Sequence, residues 1–302
     1  MEGTTTLLAL YNEFLVYQKK LVGTRKTIAT YKTYTIRTNV MTKYLMEIDK
    51  SNIEPHQINI FWVRDFAAWL YAQKNYVNDY VNKHIQHLAR ILNLAIEHDL
   101  IKFNCCDLYQ FEYDRKMNLV YLEPFEIEKL QSQYLQHPTL VRIRDLFVFC
   151  CFTGLGHSDM QNFDANKHIV TGFDQNAWIN IKRRKTNQES ILPLLDPAKN
   201  ILEKYAYQLP KISNQKFNQY LKQLFRVCKI DKEITTHSAR KTFGMLMHNE
   251  YGVAKETVSR MLGHTSVKTT EAWYCKTDMR KIGKDMALVV AGTKQPVLVR
   301  VY

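Results

Sequence analysis

The sequence predicts a mainly α-helical chain with one small antiparallel β-sheet, an α+β fold in two domains. Three observations carry this. Most stretches place an apolar residue at every third or fourth position, the period of a helix packed on one side. One block, residues 168–195, instead strings short β-prone runs between turn-forming residues. Charge then separates the halves: Lys and Arg number 13 against 12 Asp and Glu up to Asp114, but 29 against 17 from Arg115 onward. With 302 residues the chain can bury two cores, and its net charge of +13 points to a polyanionic partner.

The first domain, residues 1–114, reads as four helices. Leu7, Leu10, Tyr11 and Phe14 mark the first, over Thr5–Leu21. Arg25–Glu47 is polar and threonine-rich, with Ile28, Tyr31 and Thr35 on one face, and reads as the second. Phe61, Trp62, Phe66, Trp69 and Leu70 define a third over Ile58–Ala72, and Val81, Ile85, Leu88, Leu92 and Ala95 a fourth over Val77–Asp99. Short connections make these a compact bundle. Residues 115–122 are the expected linker.

A second domain is expected over 123–290. Glu123 and Pro124 open a helix as cap and first residue. Leu140–Phe152 is apolar on all sides and should be a buried helix. Three strands follow, H-I-V, A-W-I-N-I-K-R-R-K-T and S-I-L-P-L, with Lys185 at the last hairpin. Further helices are expected over Pro197–Tyr207, Ser213–Cys228 and Asp278–Val290. The tail, 291–302, ends in alternating valines like a short edge strand, able to contact a neighbouring protomer or its own domain.

The chemistry concentrates in Thr236–Tyr274. His237 and Arg240 are one helical turn apart and aim at one point. Thr235 and Thr236 are N-cap residue types, so the pair sits near free N–H groups and a positive dipole end, a setting that suits phosphate. Gly263 fits a sharp helix end that delivers His264 to the same place, and Tyr274 follows ten residues later. Each piece alone is commonplace. Their order and spacing together are not.

That ordered set, H-x-x-R, then L-G-H, then T-T-E-A-W-Y, resembles the C-terminal signature of the tyrosine recombinases, or phage-integrase family. The resemblance extends upstream. The first domain is similar to the family's SAM-like core-binding domain, including an I-x-x-N turn at Ile101–Asn104. It implies phosphate contacts from Lys19, Lys20, Thr24, Arg25, Lys26 and Thr27, with Lys182, Arg184 and Lys241 added by the basic second domain. A lysine before a hairpin turn matches the family's catalytic lysine, here Lys185. One position departs. The family box T-G-L-R-x-S-E-L reads T-G-L-G-H-S-D-M here, so Gly156 stands where the first of two phosphate-gripping arginines is expected. Side chains two apart on a strand share a face, so Arg183 should point with Lys185 and can supply the missing guanidinium, while Arg184 points away. Arg142 and Arg144 are weaker substitutes.

The resemblance implies a site-specific recombinase working through a 3′-phosphotyrosine. A free tyrosine, with pKa ~10, is about one part in a thousand phenolate at neutral pH, so the nucleophile needs help. Arg240, His237 and His264 would hold the nonbridging oxygens, Lys185 would protonate the leaving 5′-oxygen, and His237 would take the Tyr274 proton. No cofactor or metal is expected. Partners would be double-stranded DNA sites, a homotetramer across two of them, and DNA-bending accessory proteins. Two other readings stay open: a type IB topoisomerase-like nicking and closing enzyme, and a catalytically silent DNA-binding protein that has lost its first arginine.

Other classes fit poorly. The longest apolar run, Leu146–Phe152, is far below the ~20 residues of a membrane span, and the N-terminus lacks a signal-peptide pattern. The six cysteines, four of them in two adjacent pairs, lack zinc-ligand spacing. They are expected to be reduced and structural in a cytoplasmic, nucleoid-associated protein. Little room precedes Thr5 for an arm-binding domain, which favours a simple recombinase or invertase.

Overall fold

The computed structural model describes residues 5–73, 76–113 and 119–292. The chain divides near residue 117 into two compact units. The connector at 114–118 and the alternating valines of 293–302 lie outside the described residues.

The first unit contains α1 (Leu7–Lys20), α2 (Ile28–Glu47), α3 (Ile60–Ala72) and α4 (Asn78–Glu97). Three of the four begin on a side-chain cap: Thr6, Thr27 and Asn59 accept from Ala9, Thr30 and Trp62 N–H groups. The expected stripe of α4 is buried, and it packs with Leu7, Leu10, Met41, Leu45, Phe66 and Leu70 into one core. Asn104 closes the bundle. Its Nδ2 donates to Ala89 O at 2.8 Å and Asn93 Oδ1 at 2.7 Å, and its Oδ1 accepts from Cys106 N at 3.0 Å. The I-x-x-N turn thus ties the chain back onto α4.

Two histidines lie in this core. His84 is 3% and His87 1% exposed, and Tyr34 stacks on His87 at 5.4 Å while Tyr11 and Phe14 meet its edge at 5.3 Å. Burial, then the Arg37 cation, holds His84 down at about 4. Burial, then Arg37 and Arg90, holds His87 at about 3. An unfolded histidine titrates near 6.5, so between pH 6.5 and 4 the unfolded chain binds protons that the folded unit refuses. Stability is therefore fully present above pH 6.5 and falls as pH drops. For His87 alone the loss from pH 7 to 5 is up to roughly 2 kcal/mol. Urea midpoints should fall between those pH values, and less so in His87→Phe; a difference between pH 7 and pH 5 that His87→Phe leaves unchanged would contradict a buried neutral ring.

The second unit runs α5 (Pro124–Ser132), α6 (Pro138–Thr153), α7 (His157–Gln161), α8 (Ala165–His168), β1 (Ile169–Thr171), β2 (Ala177–Lys182), β3 (Glu189–Pro193), α9 (Asp196–Lys204), α10 (Asn214–Val227) and α11 (Thr236–Met245). A π-helical turn, Leu246–Glu250, continues α11 directly. Then come α12 (Lys255–Met261), α13 (Val267–Trp273) and α14 (Met279–Gly292). Helix α5 opens with Pro124 behind a Glu123–Glu126 capping box. Helix α6 is buried nearly all round, from Ile143 to Thr153, and forms the middle of the core. Beside it the sheet pairs antiparallel in the order β1-β2-β3, with Ile179 opposite Leu192 and Ile181 opposite Ser190. Ser190 Oγ donates to Met261 O at 2.5 Å, which joins the sheet to α12.

Three expectations change. Leu122, assigned to the linker, is buried in this core and its N–H donates to Thr242 Oγ1 at 2.9 Å. Strand β2 ends at Lys182, so Arg183 and Lys185 lie in the turn and strand alternation does not set their directions. Arg144 is spent on Gln131 O, Gln133 O and Asp145 at the far end of α6 from Gly154, and Arg142 donates to Thr139 Oγ1 at that same end. Neither substitutes for an arginine at 156. All six cysteines are free and buried.

Candidate active site

The geometry begins with α11. Thr235 caps it reciprocally with Ser238, and Asn218 Oδ1 accepts from Thr236 N at 2.9 Å, so the first turn is fixed from α10 as well. Arg240 is 1% exposed. Its Nη1 donates to Gly154 O, in the loop after α6, and its Nη2 to Leu262 O, in the turn after α12. Gly154 (φ +64°) and Gly263 (φ +58°) occupy the left-handed region, which turns both carbonyl-bearing loops inward. One guanidinium therefore joins α6, α11 and α12. Among the described residues Arg240 has no ion pair, and its Nε has no hydrogen-bond partner. Burial, then the Arg183 cation, pushes it down to about 10. A buried cation without a counter-ion is costly unless an anion completes the site.

Tyr274 lies against this cation. Its ring centroid is 5.7 Å from Arg240 Cζ, and its hydroxyl is 3.0 Å from His237 Nε2. The approach depends on Gly244: a Cβ there would lie 2.6 Å from Tyr274 O and 2.9 Å from its Cβ. Only glycine lets the tyrosine backbone run this close to α11.

The two histidines frame the tyrosine. His264 packs on its ring at 4.7 Å, and His264 Nδ1 is 2.8 Å from Thr270 Oγ1. When the buried Thr270 hydroxyl donates in this contact, His264 carries its proton on Nε2. Burial, then Arg240, Arg183 and His237, holds His264 at about 3. Burial, then Lys241, Arg240, Lys185 and Arg183, holds His237 at about 4. His237 as a residue is exposed, yet its ring faces these cations, and the downward direction leaves it neutral at pH 7. A neutral imidazole can accept a phenolic proton; an imidazolium cannot.

Arg183 completes the group. Its Nη1 donates to Gly263 O at 3.3 Å, and its Nε lies 3.5 Å from Asp159 Oδ2, a carboxylate 2% exposed. The other Asp159 oxygen accepts from Arg184 N at 3.0 Å, fixing the turn. A Cβ at Gly156 would lie 3.7 Å from the same Asp159 Oδ2. Arg183 thus uses the carboxylate that position 156 faces. Lys185 is exposed in the turn, close enough to act on His237.

The structure therefore gathers Tyr274, Arg240, His237, His264 and Arg183 at one point, with Lys185 and Lys241 at its margin. Arg184 and Lys182 point to solvent beside it. Lys19 and Lys20 are exposed in the last turn of α1, and Thr24, Arg25, Lys26 and Thr27 are exposed in the connection to α2, where Thr27 also serves as the α2 cap. Sequence reasoning missed Asp159, Thr270 and Gly244. Asp159 stands in the S-D-M frame and Thr270 in the T-T pair, so both had a local signal; Gly244 had none. Among the described residues no cluster of His, Cys, Asp and Glu could hold a metal, and no helix is long and apolar enough to cross a membrane.

The second unit thus gathers a tyrosine, arginines and histidines in an arrangement chemically able to engage a phosphodiester. The phage integrase family model matches residues 120–281, and the phage integrase SAM-like domain model residues 6–112. The chain belongs to the phage integrase family, the tyrosine recombinases. It is 28% identical over 195 residues to tyrosine recombinase XerD of Oceanobacillus iheyensis, covering 57% of this chain and 62% of that one. It is 30% identical over 114 residues to tyrosine recombinase XerC of Rickettsia typhi, covering 32% and 37%. The matches thus span less than two thirds of these relatives. Among solved structures, the Tn1549 transposon integrase in complex with transposon right end DNA superposes with a TM-score of 0.73 at 14% identity, over 94% of this chain and 99% of that one. A lambda integrase tetramer bound to a Holliday junction gives 0.71 at 14%, over 92% and 79%. These two likenesses concern the fold.

Proposed function

We propose that this chain is a site-specific DNA recombinase that cleaves and rejoins strands through a 3′-phosphotyrosine at Tyr274. One observation carries the reading: the Tyr274 hydroxyl rests on a neutral His237 beside a buried Arg240 that, among the described residues, forms no direct ion pair. The scissile phosphate supplies the missing anion. Its nonbridging oxygens take the free N–H groups of Arg240, Arg183 and His264 Nε2. His237 accepts the phenolic proton as the tyrosine oxygen bonds to phosphorus. The 5′-oxygen leaves with a proton from Lys185, and the reverse attack by a 5′-hydroxyl rejoins the strand.

The substrate is duplex DNA, held by the basic second unit and by the Lys19–Thr27 segment. DNA complexes and a tetramer among the structural neighbours support a tetramer on paired sites. Integration, excision or inversion of a mobile element is the biological step this chemistry serves, and the site of action is the cytoplasmic nucleoid.

Gly156 favours one rival, a silent protein that occupies sites without cutting them. A nicked suicide duplex carrying the element end decides between them. The enzyme traps a protein–DNA adduct that Tyr274→Phe fails to form; the silent protein binds the duplex and forms none. Strand exchange between two sites then separates a recombinase from a nicking and closing enzyme.

A further inference from the structure

Resting on the reading of Tyr274 as nucleophile, we infer that the π-helical turn after α11 is a latch that positions it, with His248 and Asn249 as positioning residues. A π-turn carries one extra residue in its hydrogen-bond ring, which rotates the following side chains off the helix's own stripe. Here it turns two polar side chains into the unit, where His248 is 7% and Asn249 2% exposed.

Neither side chain satisfies the turn that carries it. Asn249 Nδ2 donates to Lys276 O at 3.0 Å. His248 Nε2 lies 3.0 Å from Thr277 Oγ1, and His248 Nδ1 lies 3.1 Å from Val253 O. A carbonyl only accepts, so a neutral His248 carries its proton on Nδ1 and receives the Thr277 hydroxyl on Nε2. The ring therefore bridges two arms of the site: the loop into α12, which delivers His264, and the segment just past the tyrosine. Cys275 Sγ donates to Gly244 O at 3.4 Å, a further point on the same line.

The turn is itself held from outside. Lys284 of α14 donates to Asn249 O and Glu250 O, both at 3.2 Å, and pairs with Glu250 Oε2 at 2.6 Å. Residues 275–277 have no regular structure of their own between α13 and α14. Without the two side chains, the segment after Tyr274 loses its bonds to the π-turn and keeps the Cys275 contact to Gly244 O. A displacement of about 1 Å at a reacting atom can slow a step ~10²-fold.

Glutamine reaches where histidine Nε2 does, whereas asparagine reaches only as far as Nδ1. His248→Gln should therefore keep the Thr277 bond, and His248→Asn should keep only the Val253 bond. On the suicide duplex, His248→Asn and Asn249→Ala should form adduct ~10–100-fold more slowly, with DNA affinity within about twofold of the parent, while His248→Gln stays near it. A duplex whose 5′-bridging oxygen is sulfur needs no proton on its leaving group, so it should rescue Lys185→Ala but neither latch variant. Equal loss in His248→Gln and His248→Asn, or losses that follow DNA affinity, overturns the latch. Amide exchange supplies a readout without chemistry. The Tyr274 and Cys275 amides, both bonded to Thr270 O at 2.9 Å, should exchange faster in His248→Asn and Asn249→Ala than in the parent, with the α6 core unchanged. Unaltered exchange there overturns the latch even if the parent forms no adduct, an outcome that refutes the nucleophile assignment instead.

Discussion

Arg183→Ala should slow DNA cleavage ~10²–10³-fold, the usual effect of removing one well-placed donor from a developing anionic charge, whereas Arg184→Ala should change it by less than about fivefold. The contrast comes from one carboxylate. Asp159 takes the Arg183 Nε side at 3.5 Å but only the backbone N–H of Arg184. Arg183 is thereby held against Gly263, near Arg240 and His264, and Arg184 is left in solvent. The double variant Gly156→Arg/Arg183→Ala is the informative companion. Position 156 has room, since a Cβ there meets nothing nearer than Asp159 Oδ2 at 3.7 Å. A guanidinium restored there should recover part of the lost rate. Single-turnover adduct formation on the nicked duplex measures all four proteins, and equal, mild losses in Arg183→Ala and Arg184→Ala would remove Arg183 from the site.

Arg240→Lys should be worse, abolishing measurable cleavage and lowering stability together. A single ammonium should not hold Gly154 O and Leu262 O as the guanidinium does, because two separate nitrogens of a planar fork meet the two carbonyls. One buried carbonyl left unpaired costs about 1–3 kcal/mol, which in a unit of this size is roughly 2–4 °C of melting temperature per kcal/mol. The same change removes the charge nearest the tyrosine ring. Cleavage assays and thermal unfolding in parallel test this. A variant with full stability and wild-type cleavage would mean that Arg240 neither braces the loops nor meets the phosphate.

The parts of this site readable in the sequence are those with local spacing. His237 and Arg240 one turn apart on a capped helix, Gly263 as the left-handed residue behind α12, and Glu123 with Pro124 at the start of α5 all follow from rules that act within a few residues. Arg183 was reachable too, although for a reason the structure replaces: β2 stops at Lys182, and a buried aspartate, not strand alternation, directs the side chain. What the sequence could not display depends on contacts between distant segments. Gly244 has a negative φ inside a helix and looks dispensable until Tyr274, thirty residues on, is laid across it. Thr270 looks like one of many hydroxyls in a threonine-rich run until His264 turns back on it. The π-turn has no compositional mark, because its extra residue is stabilised by what His248 and Asn249 find across the fold.

One phenolic oxygen should carry the DNA strand. Trapping the adduct on a nicked duplex, digesting both components and sequencing the nucleotide-bearing peptide by mass spectrometry tests it most directly. A 3′-nucleotide phosphate is expected on Tyr274 alone, in the peptide that also holds Trp273 and Cys275. Modification of another residue, such as Tyr251, or tight binding to the duplex with no modified peptide, would contradict it.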